Sequence, residues 1–221
     1  MPTTATAIGS MKANASLDGP PATAPLVGVL ALQGDFADHQ EALHRHGVRT
    51  RQVRTAADLR GLHGLVLPGG ESTTMLKLLD VEGLWQPLGD ALRSGLPVFA
   101  TCAGMILLAE RVENPSQRSY GLLPITVVRN GYGRQFHSGT FALTSDVLPE
   151  GTTGTFIRAP RITAVGAGCE VLARRGDDAV LVQKRPILAA CFHPELAAGE
   201  HAVVARFVAM VRQHAAADAG R

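Results

Sequence analysis

An α/β fold, with a doubly wound and mostly parallel central sheet flanked by helices and extra strands in the C-terminal half, is predicted by three features of this sequence. Short aliphatic runs alternate with helical stretches over residues 26–108, and strands buried on both faces of a parallel sheet read as such runs. From Ile125 onward, short strand-like segments separated by turns dominate. The chain then closes with Val204, Phe207, Val208 and Val211 at i, i+3, i+4 and i+7, the apolar face of a helix whose wet side carries Arg206 and Arg212.

Taken in order, Leu26 to Leu32 is a continuous apolar run that suits a central strand. Gln33-Gly34-Asp35 makes a turn, and Asp35 is placed to cap a helix through Phe36, Leu43 and His46 that Gly47 stops. Val48 to Val53 reads as the second strand and Leu65-Val66-Leu67 as the third, ended by Pro68-Gly69-Gly70 before a helix through Met75, Leu76 and Leu79. A further helix spans Leu84 to Leu92. Pro97 to Ala100 is a short buried strand, followed by Cys102 and the helix-like Met105-Ile106-Leu107-Leu108. The later strands are Ile125 to Val128, Thr140 to Leu143, Thr155 to Ile157, Val171 to Ala173, Ala179 to Val182 and Ile187 to Phe192. Residues 1–25, rich in Ala, Thr, Pro and Gly, read as a disordered leader, 26–214 as the functional domain and 215–221 as a C-terminal tail.

Composition removes several classes of function. Hydrophobic residues make up 46% and charged residues 18%, enough for a large core. A net charge of +2 supplies no broad cationic field for nucleic acid or anionic lipid. The uncharged stretch Ser94 to Ala109 is interrupted by Gly, Pro and Thr and falls short of the roughly 20 apolar residues that span a bilayer. Cys102, Cys169 and Cys191 are too scattered for a disulfide framework or a CxxC metal site, so a reducing, cytoplasmic setting is expected. There is no GxGxxG and no GxxxxGK[ST], and no cofactor or metal is expected.

Three segments carry chemistry. Cys102 stands directly after a buried strand and before an apolar helix, the outline of a nucleophile elbow, where the helix N-terminus favours a thiolate. In His193-Pro194-Glu195 the proline discourages helix, and in an extended segment Glu195 lies on the side of His193 and can orient its ring. Pro68-Gly69-Gly70-Glu71-Ser72 passes from strand end to helix and leaves backbone N–H groups free to bind an oxyanion.

In this order, and with Leu32-Gln33-Gly34, Ser72-Thr73-Thr74-Met75, Gly121-Leu122-Leu123, Arg129-Asn130, Tyr132-Gly133-Arg134-Gln135, Phe156-Ile157-Arg158-Ala159-Pro160 and Phe192-His193-Pro194-Glu195-Leu196, the chain resembles the class I glutamine amidotransferases. Within them it is similar to the glutaminase subunits of pyridoxal 5′-phosphate synthase, from about Val27 to Met210. The resemblance implies a flavodoxin-like sheet and hydrolysis of L-glutamine by a triad of Cys102, His193 and Glu195. The oxyanion hole would be formed by N–H groups of Gly70 and Ala103, and glutamine held by Gly70, Glu71, Ser72, Arg129, Ile157 and Arg158. It also implies a partner, a separate synthase subunit that uses the ammonia to build pyridoxal 5′-phosphate from ribose 5-phosphate and glyceraldehyde 3-phosphate, in a complex of twelve chains of each kind. Two departures stand out: Ala100 replaces the family's usual glycine before the elbow, and Gly131-Tyr132 replaces a small residue and Phe. The alternatives are a glutaminase subunit serving another synthase, which would lack the Gly-Arg-Gln and Ile-Arg-Ala-Pro segments, and a non-catalytic subunit, which would have lost a triad residue.

Overall fold

The structure is a computed structural model and describes residues 20–129, 131 and 138–220. Asn130, the segment from Tyr132 to Gln135 and most of the expected leader lie outside the described residues. In chain order the elements are β1 (Leu26–Leu30), α1 (Phe36–Arg45), β2 (Arg49–Val53), a 3-10 turn (Ala56–Leu59), β3 (Gly64–Leu67), α2 (Ser72–Val81), α3 (Trp85–Arg93), β4 (Val98–Thr101), α4 (Ala103–Leu108), β5 (Ala109–Glu113), β6 (Leu123–Val128), β7 (Gly139–Ala142), β8 (Thr153–Phe156), β9 (Arg161–Val165), β10 (Glu170–Arg175), β11 (Asp178–Lys184), β12 (Ile187–Ala190), a second 3-10 turn (Pro194–Leu196) and α5 (Ala202–Ala219).

The main sheet has seven strands in the order β10-β11-β12-β4-β3-β1-β2 among the described residues. From β12 to β2 every neighbouring pair is parallel, and β11 and β10 add an antiparallel edge. The apolar runs explain this centre. β1, β3, β4 and β12 are buried at every position, as strands covered by helices on both faces must be. The register sets Leu67 beside Ala100 and Thr101 beside Ala190, so β3, β4 and β12 end at one edge of the sheet. Because β1 and β3 are neighbours while β2 lies on the other side of β1, the order of winding reverses there, and a ligand crevice opens beyond the strand ends at such a point.

β5-β6-β9 forms a second sheet and β7-β8 a hairpin. Neither β5 nor β9 is apparent in the sequence: Ala-Glu-Arg-Val-Glu reads as a continuation of α4, and Arg-Ile-Thr-Ala-Val buries only Ile162. The first strand ends at Leu30 rather than Leu32, and α5 continues past residue 214 to Ala219. Residues 20–25, assigned from composition to the leader, are held in a turn: Ala24 N–H donates to the Pro21 carbonyl at 2.8 Å, and the Arg49 guanidinium donates to the Ala22 carbonyl. Ala100 is fully buried in β4. Among the described residues no helix is long and apolar enough to cross a membrane.

α5 packs its predicted face into the core, with Phe207 stacked on Phe99 at 5.4 Å. Its N-cap is His201, whose Nδ1 accepts from Val203 N–H at 3.2 Å while Nε2–H donates to the Thr153 carbonyl at 2.8 Å. Only the neutral ring makes both bonds. Burial lowers the His201 pKa below its ordinary value, with the Thr153 bond opposing in part. The folded pKa therefore lies below the unfolded one, so this stabilisation is complete above about pH 6.5 and is lost as pH falls through the folded value. A helix cap is worth about 1 kcal/mol. Between pH 7 and 5 the melting temperature of the parent should fall more than that of His201→Asn, whose cap does not titrate; parallel curves would refute this role.

Candidate active site

β4 ends in Thr101, and Cys102 turns the chain into α4 with φ 45° and ψ −103°. Such a conformation costs a non-glycine residue about 1–3 kcal/mol and is held by its surroundings. Here Cys102 N–H donates to the Ala190 carbonyl at 2.9 Å and Gly104 N–H to the Pro68 carbonyl at 3.1 Å. Gly104 is needed for the approach, since a Cβ there would lie 2.1 Å from the Leu67 carbonyl oxygen. Ala103 is buried at the first position of α4.

β12 delivers His193 from the neighbouring strand end. Its N–H donates to the Thr155 carbonyl at 2.8 Å, and Pro194 opens the short 3-10 turn that carries Glu195. The extended geometry expected for this segment is therefore corrected to a turn, because Pro at its first position has φ preset for helical backbone. The predicted contact is nonetheless present: His193 Nδ1 is 2.7 Å from Glu195 Oε1. Glu195 is buried, and its Oε1 also lies 3.3 Å from Nε2 of buried His39, which is 2.9 Å from the Thr101 hydroxyl.

On the pocket side, Asp35 Oδ2 stands 3.2 Å from the same His193 Nδ1. Asp35 occupies the N-cap position of α1 but makes no side-chain cap bond, so its expected role as a cap is corrected. The side chain turns toward the imidazole instead. Gly69 lies against both groups: a Cβ there would meet His193 Cε1 at 2.3 Å and Asp35 Oδ2 at 2.9 Å.

Burial works against a charged His193, but the Asp35 carboxylate, the Cys102 thiol and Glu195 outweigh it and push the pKa up to about 12. Burial likewise opposes ionisation of Glu195, and the His39 and His193 rings overcome it, holding the carboxyl down to about 2.

The glycine-rich loop closes the third side. Gly70 has φ 139°, and a Cβ there would lie 2.4 Å from the Gln33 amide nitrogen, while Glu71 N–H donates to Gln33 Oε1 at 3.2 Å. Glu71 caps α2 by accepting from Thr74 N–H at 2.6 Å and binds Arg129 at 2.8 Å. Burial raises its pKa, but hydrogen bonds from Thr74 and Thr73 prevail and the net shift is downward. Its carboxylate thus serves the pocket wall and fixes the Arg129 guanidinium.

A cavity of about 240 Å³ joins these parts. Gly70, Glu71, Ser72, Arg129, Ile157 and Arg158 all line it with Cys102 and His193, and Asp35, Ile106 and Pro160 complete the wall. Its volume is below the roughly 300–1,000 Å³ of drug-sized pockets and suits an amino acid. Glu195 and Ala103 lie behind the wall. Sequence reasoning missed Asp35, His39 and Thr101. The first two are one turn apart, at the N-cap and in the first turn of α1, and that i, i+4 spacing after Gln33-Gly34 was the available signal.

Comparison with known proteins decides the family. The sequence of residues 29–213 matches the SNO glutamine amidotransferase family. The chain belongs to this family. Among curated relatives, the pyridoxal 5′-phosphate synthase subunit PdxT of Cutibacterium acnes is 51% identical over 181 residues, covering 78% of this chain and 90% of that protein. PdxT of Parafrankia is 47% identical over 206 residues, covering 90% and 99%. A crystal structure of a glutamine amidotransferase superposes with a TM-score of 0.77 at 44% identity, covering 84% of this chain and 98% of its own. A putative GMP synthase component from Thermoplasma acidophilum, at 20% identity and a TM-score of 0.65 over 89% of this chain and 98% of its own, shares the fold.

Proposed function

We propose that this SNO-family chain, through residues 26–214, hydrolyses L-glutamine to L-glutamate and ammonia and delivers the ammonia to a separate synthase subunit that makes pyridoxal 5′-phosphate. The observation that carries the reading is Cys102, held on a strained elbow at the wall of the cavity that His193 also lines, with buried Glu195 bonded to the His193 ring.

The steps follow from these groups. The Cys102 thiolate attacks the side-chain amide carbon of glutamine, and the N–H groups of Gly70 and Ala103 receive the negative oxygen. The His193 imidazolium gives its proton to the amide nitrogen as the carbon–nitrogen bond breaks, releasing ammonia and leaving a glutamyl thioester. His193, now neutral, takes a proton from water, whose oxygen displaces Cys102 and frees glutamate. Glu195 keeps the ring oriented throughout, and His39 steadies Glu195. Arg129 and Arg158, which line the same cavity, offer cationic partners to the glutamine carboxylate.

The synthase partner is supported by the naming of relatives as subunits of pyridoxal 5′-phosphate synthase; the complex of twelve chains of each kind rests on the resemblance alone. The chain should be a slow glutaminase alone, because the Gly69-Gly70 peptide can change orientation at little steric cost and docking selects one orientation. Mixing it with a pyridoxal 5′-phosphate synthase subunit should raise glutamine hydrolysis and yield glutamine-dependent product. Product formed from ammonium salt but never from glutamine would refute the pairing.

A further inference from the structure

We propose that Asp35 is a positioning residue for the imidazole, a second carboxylate that holds the His193 ring in its charged form from the pocket side while Glu195 holds it from beneath. The inference rests on the Cys102–His193–Glu195 reading and adds a fourth group to it.

Asp35 sits where a helix cap belongs and its backbone carbonyl accepts from His39 N–H at 3.2 Å, so α1 begins there. Its carboxylate nevertheless caps nothing and lies 3.2 Å from His193 Nδ1. That nitrogen carries one proton, which Glu195 takes at the shorter distance of 2.7 Å. Asp35 therefore acts chiefly through its charge. The two carboxylates differ in setting: the Glu195 side chain is wholly buried, whereas that of Asp35 is 35% exposed on the cavity wall. The first turn of α1 thus serves both partners of the triad, Asp35 touching His193 and His39 touching Glu195. Gly69 leaves the space in which Asp35 and the ring meet.

The charged and titratable groups facing the ring are Asp35 from the N-cap of α1, Cys102 from the elbow and Glu195 from the following turn, with Glu71, Arg129 and Arg158 elsewhere on the cavity wall. Among these, Asp35 is the partly exposed anion in contact with the ring. Its charge favours the imidazolium.

The test is the pH profile of Cys102 alkylation in the full-length chain, mapped by mass spectrometry. Cys169 and Cys191, whose pKa values burial pushes up, provide slow internal references. Asp35→Asn and Asp35→Ser both retain helix-capping ability and lack the charge. In each, the upper step of the alkylation profile, where the imidazolium loses its proton, should move downward by about one unit, the lower end of what a neighbouring opposite charge produces. The kcat for glutamine at neutral pH should fall, with KM unchanged. A profile superimposable on the parent, or a raised KM with the profile unmoved, would overturn the proposal, the second outcome marking Asp35 as a substrate contact. His193→Ala is run in parallel: if it leaves the profile unmoved, the triad reading itself has failed, whereas a shift in His193→Ala alone sinks only the role of Asp35.

Discussion

Cys102→Ala should lose glutamine hydrolysis by a factor of roughly 10⁴ or more, because no other group at the site can form the thioester. The substitution removes one sulfur from a wall otherwise made by backbone and neighbouring side chains, so the fold should persist. When the variant is paired with its synthase and supplied with ammonium salt, formation of pyridoxal 5′-phosphate should be unimpaired, since ammonia is what the synthase consumes. Coupled assays of glutamate release and product formation separate the two activities. Residual glutaminase activity within tenfold of the parent would remove Cys102 from its role; loss of the ammonium-dependent reaction would mean that the substitution also disturbs docking.

Gly69→Ala should also be damaging, without changing any reacting group. The added methyl would lie 2.3 Å from His193 Cε1 and 2.9 Å from Asp35 Oδ2, distances at which one neighbour must move. Gly69 is not among the positive-φ glycines, so the backbone itself accepts alanine and the effect is a collision with the ring. The ring has little freedom to yield, because Glu195 holds it at 2.7 Å. Overpacking of this kind costs about 1–3 kcal/mol of stability. Displacing the imidazole by about 1 Å should lower kcat roughly hundredfold. Thermal melting and steady-state kinetics on the same preparation check both effects, and a parental kcat would show that His193 is not confined as described.

The central architecture is legible in the chain because burial on both faces leaves a strong one-dimensional trace. Apolar runs mark β1, β3, β4 and β12, and each is followed by residues that line or adjoin the cavity: Asp35 in the turn after β1, Gly69 and Gly70 after β3, Cys102 after β4, His193 after β12. The periphery is less legible. β9 alternates too weakly for its pattern to stand out, and the charges of β5 resemble those of an exposed helix turn. For such strands the deciding factor is a partner strand supplied by tertiary contact.

By itself, the sequence determined the α/β class, the strand ends where chemistry collects, the elbow cysteine, the His-Pro-Glu segment and, through their order, the family. Only the tertiary structure decided what the side chains around those residues do. Asp35 has the composition of a cap, yet it faces an imidazole 158 positions away in the chain. His39 looks like one polar residue on an amphipathic helix, yet it is buried and bonded to a hydroxyl at a separation of 62 residues. Local propensity is fixed by neighbours within a few positions, whereas these contacts depend on how four strand ends converge. A carboxylate near a helix start can satisfy either the helix or a charge across the crevice, and the packing of Gly69 against the His193 ring leaves room for the second.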